Sequence, residues 1–159
     1  MRKFTLVFNL KNGGKDCLDN MGRNATHKAE DVGQFYDEQT GNFLKVYGQI
    51  IQAFRSTDVT YLLDYQMESM GMMKGQKVID AGCGVCGPAR YFASKCEVHI
   101  DAVTISEKQV ELASRFTQQD GLENNVFVHQ GDYHYLSELL QPEEYDLVYF
   151  LESFGHAVD

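Results

Sequence analysis

A glycine-rich loop between a buried strand and a helix constrains the fold of this chain more than any other feature of its sequence. The loop is residues 80–88, D-A-G-C-G-V-C-G-P, and it begins at the end of a short buried-type strand at residues 78–81. Gly82 and Gly84 allow a tight turn and let the backbone approach a ligand without contact from a Cβ atom. The helix that follows presents free N–H groups at the same point. The loop therefore predicts a binding site at the carboxyl end of the strand, where doubly wound sheets hold their ligands.

The sequence around this loop alternates strands with helices. It predicts strands at residues 78–81, 98–105, 125–129 and 145–151. One helix begins at Pro88, and another, capped by Ser106, runs over residues 107–119 and ends before Gly121. This order of elements is typical of an α/β protein with a doubly wound parallel sheet and helices on both faces.

The first 70 residues follow a helical pattern after a short arm. Apolar side chains between residues 32 and 54 recur mainly every three, four or seven positions, as one face of a helix requires. Gly41 and Gly48 argue against one unbroken helix there. A second helix is predicted over about residues 57–70, with Thr57 or Asp58 as its N-cap and Gly71 at its end. Residues 1–25 are predicted to form an N-terminal arm with one short strand at residues 4–10.

Charge and cysteine content exclude several functional classes. The 14 basic and 23 acidic side chains give a net charge of −9, which argues against a nucleic-acid partner because phosphate neutralisation needs a basic face. Four cysteines are too few for a disulfide scaffold. No stretch approaches the roughly 20 apolar residues of a membrane-spanning helix, and no cleavage site follows the short apolar run near the N-terminus. These features predict a soluble, cytoplasmic protein without a membrane span.

A dinucleotide is one alternative ligand for the loop. Gly82, Gly84 and Gly87 have the G-x-G-x-x-G spacing of dinucleotide-binding proteins. Those proteins have an acidic residue at the end of the second strand, where this sequence has Thr104, and Asp101 comes too early. A nucleotide-dependent oxidoreductase is therefore disfavoured, and binding of NAD(P)H would be its signature.

Four segments resemble the motifs of class I S-adenosylmethionine-dependent methyltransferases, in the family's order and spacing. Residues 78–90 resemble the first motif and are closest to the branch of sterol and other small-molecule C-methyltransferases. Residues 102–106 with Gln109 resemble the second-strand motif of the sterol and cyclopropane-fatty-acid branches, in which threonine stands in the usual acidic position. Residues 130–133 resemble the adenine-contacting motif. Residues 145–157 resemble the fourth strand and the E-x-x-x-H-A segment after it.

The resemblance implies S-adenosyl-L-methionine as methyl donor, no metal, and a small-molecule acceptor, with carbon favoured as the acceptor atom. The residues expected to bind the donor are Tyr36, Asp80, Gly82, Cys83, Gly84, Thr104, Gln109, Asp132 and Tyr133. In this scheme Asp80 holds the loop and the amino-acid end of the donor. Thr104 and Gln109 bind the ribose hydroxyls, and Asp132 accepts from the adenine amino group.

Two residues are the expected catalytic groups. Glu152 and His156 lie four positions apart after the fourth strand, at the end of the sheet where the transferable methyl group is expected. By resemblance to the sterol branch, Glu152 faces a carbocation. Tyr36 lies in a segment, residues 35–44, that resembles the helical lid of small-molecule methyltransferases. Ordinary structural roles stay open: Asp132 as a helix cap, Thr104 as a strand residue, Glu152 as a surface acid and Tyr36 as a core aromatic.

One residue of the loop departs from the family pattern. Cys86 stands where glycine is common, and a side chain is strained there if the position requires a positive φ. The cysteine is expected to lower the affinity for the donor. It also creates Cys83-x-x-Cys86, but a zinc site would need two more ligands, and Cys96 and His99 lack the motif spacing. A metal or redox role is therefore disfavoured.

The resemblance also assigns the chain to the N-terminal part of a larger sheet. The Rossmann-like methyltransferase sheet has the strand order 3-2-1-4-5-7-6, and this sequence supplies 3-2-1-4. Residues 26–159 are then an incomplete methyltransferase domain, with a helical lid at 26–73 and a donor-binding half at 74–159. The fourth strand is expected to be a bare edge. That edge predicts a fragment of a full enzyme with a missing C-terminal half, or a homodimer paired through the edge. The alternative function is a non-catalytic remnant that binds the donor or a partner.

Overall fold

A five-stranded sheet organises the chain. The computed structural model describes residues 5–9, 29–52, 57–141 and 144–154. A single turn of 3-10 helix at Tyr133–Tyr135 precedes the last helix. The elements in chain order are β1 Thr5–Asn9, α1 Ala29–Tyr47, α2 Val59–Ser69, β2 Lys77–Ala81, α3 Gly87–Cys96, β3 His99–Thr104, α4 Glu107–Gln119, β4 Val126–Gln130, α5 Leu136–Leu139 and β5 Leu147–Leu151.

The order of the four predicted strands is confirmed. The sheet runs β1-β5-β2-β3-β4, and β4-β3-β2-β5 is the predicted order 3-2-1-4 with all neighbours parallel. All five residues of β5 and the last four of β2 are buried. Such continuous burial is typical of parallel strands that are covered on both faces.

The expectation of a bare edge at β5 is wrong. Strand β1 pairs with β5 in antiparallel register, with Thr5 opposite Leu151 and Asn9 opposite Leu147. An added antiparallel strand satisfies the backbone N–H and C=O groups that an edge otherwise exposes. The sequence predicted a short strand at residues 4–10, but the pairing joins segments more than 130 residues apart, which no local pattern specifies.

The two faces of the sheet carry separate cores. Because side chains alternate along a strand, Val78 and Ile100 lie on one face and Ile79 and Val103 on the other. The first face packs against α2, α3 and α4, which contribute apolar side chains such as Leu63, Phe92 and Ala113. The opposite face packs against Leu136 and Leu140, at the start and just after the end of α5. This layering leaves the carboxyl ends of the parallel strands together at one edge.

The helix boundaries follow local chemistry. Asp58 caps α2 by accepting a 3.0 Å hydrogen bond from the Tyr61 backbone N–H, and Ser106 caps α4 in the same way through Gln109. Each such cap contributes about 1 kcal/mol. The helical stretch is interrupted, as the sequence indicated, but not at Gly41, since α1 runs through that residue to Tyr47. Gly48, with a φ of 65°, is the residue that follows the end of that helix.

Candidate functional site

A cavity of about 770 Å³ lies at the carboxyl ends of β2, β3, β4 and β5, beneath α1. All nine residues predicted to bind the donor line it: Tyr36, Asp80, Gly82, Cys83, Gly84, Thr104, Gln109, Asp132 and Tyr133. Glu152 lines it as well. His156 lies outside the described residues. The topology thus brings together residues that are spread over more than 110 positions of sequence.

The glycine-rich loop is held against β3 and against the segment that follows β5. The backbone N–H groups of Gly82 and Cys83 both donate to the Val103 carbonyl at 2.9 Å. Gly82 has a φ of 91°, and a Cβ atom on it would lie 2.3 Å from the Ser153 Cβ. Gly84 also has a positive φ, of 57°. Both glycines therefore occupy backbone conformations that the loop requires and that side chains disfavour.

Cys86 occupies the strained backbone conformation that the sequence suggested. It precedes α3 with φ 58° and ψ 26°, in the left-handed region, and its side chain is fully buried. Next to it, a Cβ atom on Gly87 would lie 2.0 Å from the Gln49 carbonyl oxygen. The segment after α1 therefore crosses directly over the start of α3.

We expect Cys86→Gly to be more stable than Cys86→Ala by about 0.5–1 kcal/mol. Both variants lose the buried thiol, but only glycine relieves the left-handed strain, which costs an L-residue about 1–2 kcal/mol. The greater freedom of glycine in the unfolded chain offsets part of this gain. Urea denaturation followed by circular dichroism measures the two free energies of unfolding. Equal stabilities, or a more stable alanine variant, would show that the backbone at residue 86 relaxes.

Burial controls the titration of the groups beneath the loop. Asp80 is only 2% exposed, and this burial raises the pKa of its carboxyl to about 7. The Tyr149 hydroxyl offsets part of the rise through a contact that falls short of a full hydrogen bond. Burial also raises the pKa of the Cys83 thiol well above its usual value, with neighbouring Cys86 adding to the effect. A thiol in this state is a poor nucleophile and a poor metal ligand.

Metal ligation gains no support from the described part of the chain. Across residues 29–52, 57–141 and 144–154, no three histidine, cysteine, aspartate or glutamate side chains converge as ligands would. Within the same residues, no helix combines the length and the apolar character needed to cross a membrane.

Asp132 caps a turn, as its sequence position allowed, and it also lines the cavity. Its Oδ1 accepts from the His134 backbone N–H at 2.9 Å and so caps the turn at Tyr133–Tyr135. The same oxygen lies 2.5 Å from His134 Nδ1. Both contacts use Oδ1, so Oδ2 is the oxygen that we expect to meet a ligand in the cavity. His134, which also lines the cavity, was not predicted, because its place depends on this capping geometry.

Thr104 and Gln109 are bound to each other. The Thr104 hydroxyl donates to Gln109 Oε1 at 2.6 Å, and Gln109 Nε2 donates to Thr40 Oγ1 on α1 at 3.1 Å. All three side chains are buried. Thr40 belongs to the segment that resembles a lid, but its spacing alone gave no sign of a hydrogen bond to Gln109.

Helix α1 forms one wall of the cavity and is fastened to α4. It contributes six residues to the lining: Ala29, Glu30, Val32, Tyr36, Phe43 and Tyr47. On its other side, Asp37 Oδ1 accepts from the Ser106 hydroxyl at 2.5 Å and from the Lys108 backbone N–H at 3.0 Å. Tyr36, Phe43 and Tyr47, which a helical pattern would assign to a core, therefore line the cavity instead, whereas Phe35 is exposed.

Glu152 has unusual backbone geometry for its position. It follows β5 with a φ of 61°, one of three non-glycine residues with a positive φ among those described. Strained residues of this kind cluster at functional sites. Ser153, the next residue, donates its hydroxyl to the Ala81 carbonyl at 2.5 Å and accepts from the Tyr133 hydroxyl at its own carbonyl. The segment after β5 is thereby held between the loop and the Tyr133 turn.

Known proteins share this arrangement. The sterol 24-C-methyltransferase erg6 of Aspergillus fumigatus is 32% identical over 95 residues, which are 60% of this chain and 25% of that protein. The crystal structure of the [4+2]-cyclase SpnF superposes with a TM-score of 0.60 at 25% identity, over 68% of this chain and 44% of that one. The geranyl diphosphate C-methyltransferase of Streptomyces coelicolor A3(2) shares the fold, with a TM-score of 0.53 at 16% identity, over 69% of this chain and 50% of that one.

The sheet order and the loop are those of the class I S-adenosylmethionine-dependent methyltransferase fold, and sterol C-methyltransferases are among the relatives of the chain. Within that class, residues 52–158 match the mycolic acid cyclopropane synthetase family, and the chain belongs to it. The chain spans about a quarter of the length of the sterol methyltransferases that it matches.

Proposed function

We propose that this chain binds S-adenosyl-L-methionine and provides the donor site for methyl transfer to a small-molecule acceptor, with carbon as the favoured atom. The observation that carries this proposal is the 770 Å³ cavity, which gathers the nine predicted donor-binding residues at one end of the sheet. The family match and the sterol C-methyltransferase relatives support it. The chain covers about a quarter of the length of the sterol methyltransferases that it matches, so the proposal concerns the donor site of such an enzyme.

The residues of the cavity suit the three parts of the donor. Asp80 and the backbone of the glycine-rich loop are expected to hold the amino-acid end, where a carboxylate pairs with an ammonium group. Thr104 and Gln109 would meet the ribose, and Asp132 the adenine amino group. The aromatic side chains of α1, Tyr36 among them, would cover the bound donor and exclude water.

The main catalytic task of this chain would be to position the donor relative to the acceptor. The donor, when bound, supplies a methyl group already activated on a sulfonium, so correct placement of the acceptor lowers most of the barrier. Glu152 lines the same cavity, and its carboxylate is the proposed stabiliser of positive charge on the acceptor. His156 is the second proposed catalytic residue.

Donor binding without methyl transfer is the second candidate function. The structural neighbour SpnF, with a TM-score of 0.60, is named a [4+2]-cyclase. The fold therefore also occurs in a protein named for a different reaction. Transfer of a radiolabelled methyl group from the donor into a lipid extract would favour methyltransferase activity, and donor binding with no transfer would favour the second candidate.

Titration calorimetry of the whole chain with S-adenosylhomocysteine tests the donor site. We expect saturable one-to-one binding, and no heat from NADH over the same concentration range. Binding of NADH without S-adenosylhomocysteine would replace the proposal with a dinucleotide-dependent function. Binding of neither ligand would refute the donor site.

The affinity for S-adenosylhomocysteine is expected to rise about tenfold from pH 6 to pH 8. The buried Asp80 carboxyl has a pKa of about 7 and is mostly protonated at pH 6, whereas the ammonium group of the ligand favours the ionised form. At pH 6 the Asp80 carboxyl must therefore release a proton when the ligand binds, whereas at pH 8 it is already mostly ionised. Calorimetry at pH 6, 7 and 8 in buffers of different ionisation enthalpy measures both the affinity and the proton release.

The same carboxyl makes the empty protein less stable as the pH rises. The pKa of this carboxyl in the folded state lies above the ordinary value of 3.8. Its contribution to the free energy of unfolding is therefore fully present below pH 4 and is lost as the pH rises through about 7. The increase in Tm on adding S-adenosylhomocysteine should therefore be larger at pH 8 than at pH 6. Asp80→Asn should abolish this difference, and an unchanged pH profile in that variant would exclude Asp80 as the titrating group.

A further inference from the structure

Thr40, Gln109 and Thr104 form a buried relay of hydrogen bonds between the lid helix and the cavity. Thr40 Oγ1 donates to the Tyr36 carbonyl at 2.5 Å, Gln109 Nε2 donates to Thr40 Oγ1 at 3.1 Å, and Thr104 Oγ1 donates to Gln109 Oε1 at 2.6 Å. Thr104 and Gln109 line the cavity, whereas Thr40 does not. The relay therefore begins outside the cavity and ends on its wall.

The direction of every bond in this relay is set at Thr40. A carbonyl oxygen can only accept, so the single hydroxyl proton of Thr40 must point to Tyr36. Thr40 can then only accept from Gln109, which turns the Gln109 amide nitrogen toward α1 and its carbonyl oxygen toward Thr104. Thr104 must in turn donate its own proton to Gln109.

Thr104 is left as an acceptor toward the cavity. Its proton is used on Gln109, and the Ser106 backbone N–H approaches its oxygen at 3.4 Å, so the remaining lone pair is the group it can offer a ligand. The usual acidic residue at this position offers a ribose hydroxyl nothing but acceptors. A threonine with a fixed proton reproduces that property without a charge.

We propose that Thr40 is a positioning residue for donor recognition. By fixing the direction of the relay it makes Thr104 a hydrogen-bond acceptor, and this selects ligands with a ribose hydroxyl at that point. The inference rests on the proposed donor site and goes beyond it, since Thr40 has no contact with the cavity. It also explains how a neutral residue serves where related sites have a carboxylate.

The relay depends on α1 being docked on α4. Asp37 fastens α1 to the start of α4 through Ser106 and Lys108, which lie just before Gln109 in the chain. Gly33 packs against Ile105 at this junction, and a Cβ atom on it would make an ordinary van der Waals contact with the Ile105 carbonyl oxygen at 3.5 Å. The lid helix and the ribose-recognition pair are therefore one hydrogen-bonded unit.

Titration of wild-type protein and Thr40→Val with S-adenosylhomocysteine and with its 2′-deoxy and 3′-deoxy analogues tests this proposal. Wild type should bind S-adenosylhomocysteine about tenfold more tightly than the weaker-binding analogue, because one hydrogen bond at the relay is lost. Thr40→Val keeps the shape of the side chain but cannot accept a hydrogen bond from Gln109. It should lower the affinity for S-adenosylhomocysteine five- to tenfold. It should leave the affinity of that analogue unchanged, so that discrimination collapses.

Three controls separate this role from damage to the fold. Thr40→Ser keeps the hydroxyl and should restore discrimination, and Asn42→Ala, on an exposed position of the same helix, should leave it unchanged. If Thr40→Val does not fold, Thr104→Val removes the acceptor directly and should abolish discrimination. The proposal would be overturned if Thr40→Val lowered the affinities for S-adenosylhomocysteine and for its analogues equally. It would also be overturned if the wild-type protein did not discriminate between these ligands. Failure of wild type to bind S-adenosylhomocysteine at all would instead overturn the donor site itself.

Discussion

Gly82→Ala is expected to destabilise the protein by about 2–4 kcal/mol and to abolish measurable binding of S-adenosylhomocysteine. The new Cβ atom would lie 2.3 Å from the Ser153 Cβ and 2.7 Å from its Oγ, so either the loop or the segment after β5 must move. Overpacking of this kind costs about 1–3 kcal/mol. The φ of 91° adds strain of about 1–2 kcal/mol for any residue with a side chain.

The loss of binding follows from what this clash displaces. Ser153 bonds to the Ala81 carbonyl directly beside the loop, and Glu152 precedes it in the cavity wall. Any shift that accommodates the alanine therefore moves the wall on both sides of the expected amino-acid end of the donor. Urea denaturation and calorimetry measure the stability and the affinity separately.

Gly121→Ala is the matched control for the Gly82 variant. Gly121 has a φ of 68°, no atom lies within 4 Å of its added Cβ, and it is not part of the cavity lining. The control should lose about 1 kcal/mol of stability from strain alone and should bind S-adenosylhomocysteine normally. Normal binding by Gly82→Ala would show that the loop does not approach the donor.

Local signals in the sequence predicted most of the fold. The strands around Val78 and Val148, the caps at Asp58 and Ser106 and the stop at Gly121 all depend on a few neighbouring residues, and the structure has them where they were expected. The antiparallel pairing of β1 with β5 was missed because it is a contact between distant segments. A break in the first helical stretch was predicted and lies at Gly48, but α1 continues through Gly41 because packing of that helix on α4 outweighs a helix-propensity cost of about 1 kcal/mol.

The candidate site also contains residues that the sequence predicted and residues that it did not. Residues carried by short motifs, such as Asp80, Thr104 and Asp132, were predicted from the family resemblance and line one cavity. Thr40 and Asp37 were missed as site residues because each acts through a partner 69 or more positions away in the chain. Such partners become visible only when α1 is docked on α4. A motif therefore indicates which side chains line the cavity, but the groups that hold them there follow from tertiary structure.

Asp132→Ala is expected to weaken S-adenosylhomocysteine binding about 10- to 100-fold. The proposed contact joins a carboxylate oxygen to the adenine amino group, and hydrogen bonds to charged groups contribute about 1.5–3 kcal/mol. Asp132 also caps the turn that carries Tyr133 and His134, so its loss moves the adenine end of the cavity wall. Calorimetry of both proteins with S-adenosylhomocysteine measures the effect.

An analogue separates the lost contact from the lost cap. S-Inosylhomocysteine replaces the adenine amino group, a donor, with a carbonyl oxygen, an acceptor, which faces a carboxylate unfavourably. Wild type should therefore prefer S-adenosylhomocysteine, and Asp132→Ala should lose that preference, whereas damage to the turn alone would weaken both ligands equally. Glu138→Ala, on an exposed position of α5 outside the cavity lining, should keep both the affinity and the preference. A preference that survives in Asp132→Ala would mean that another group recognises the adenine, and His134, which lines the same wall, would be the first to test.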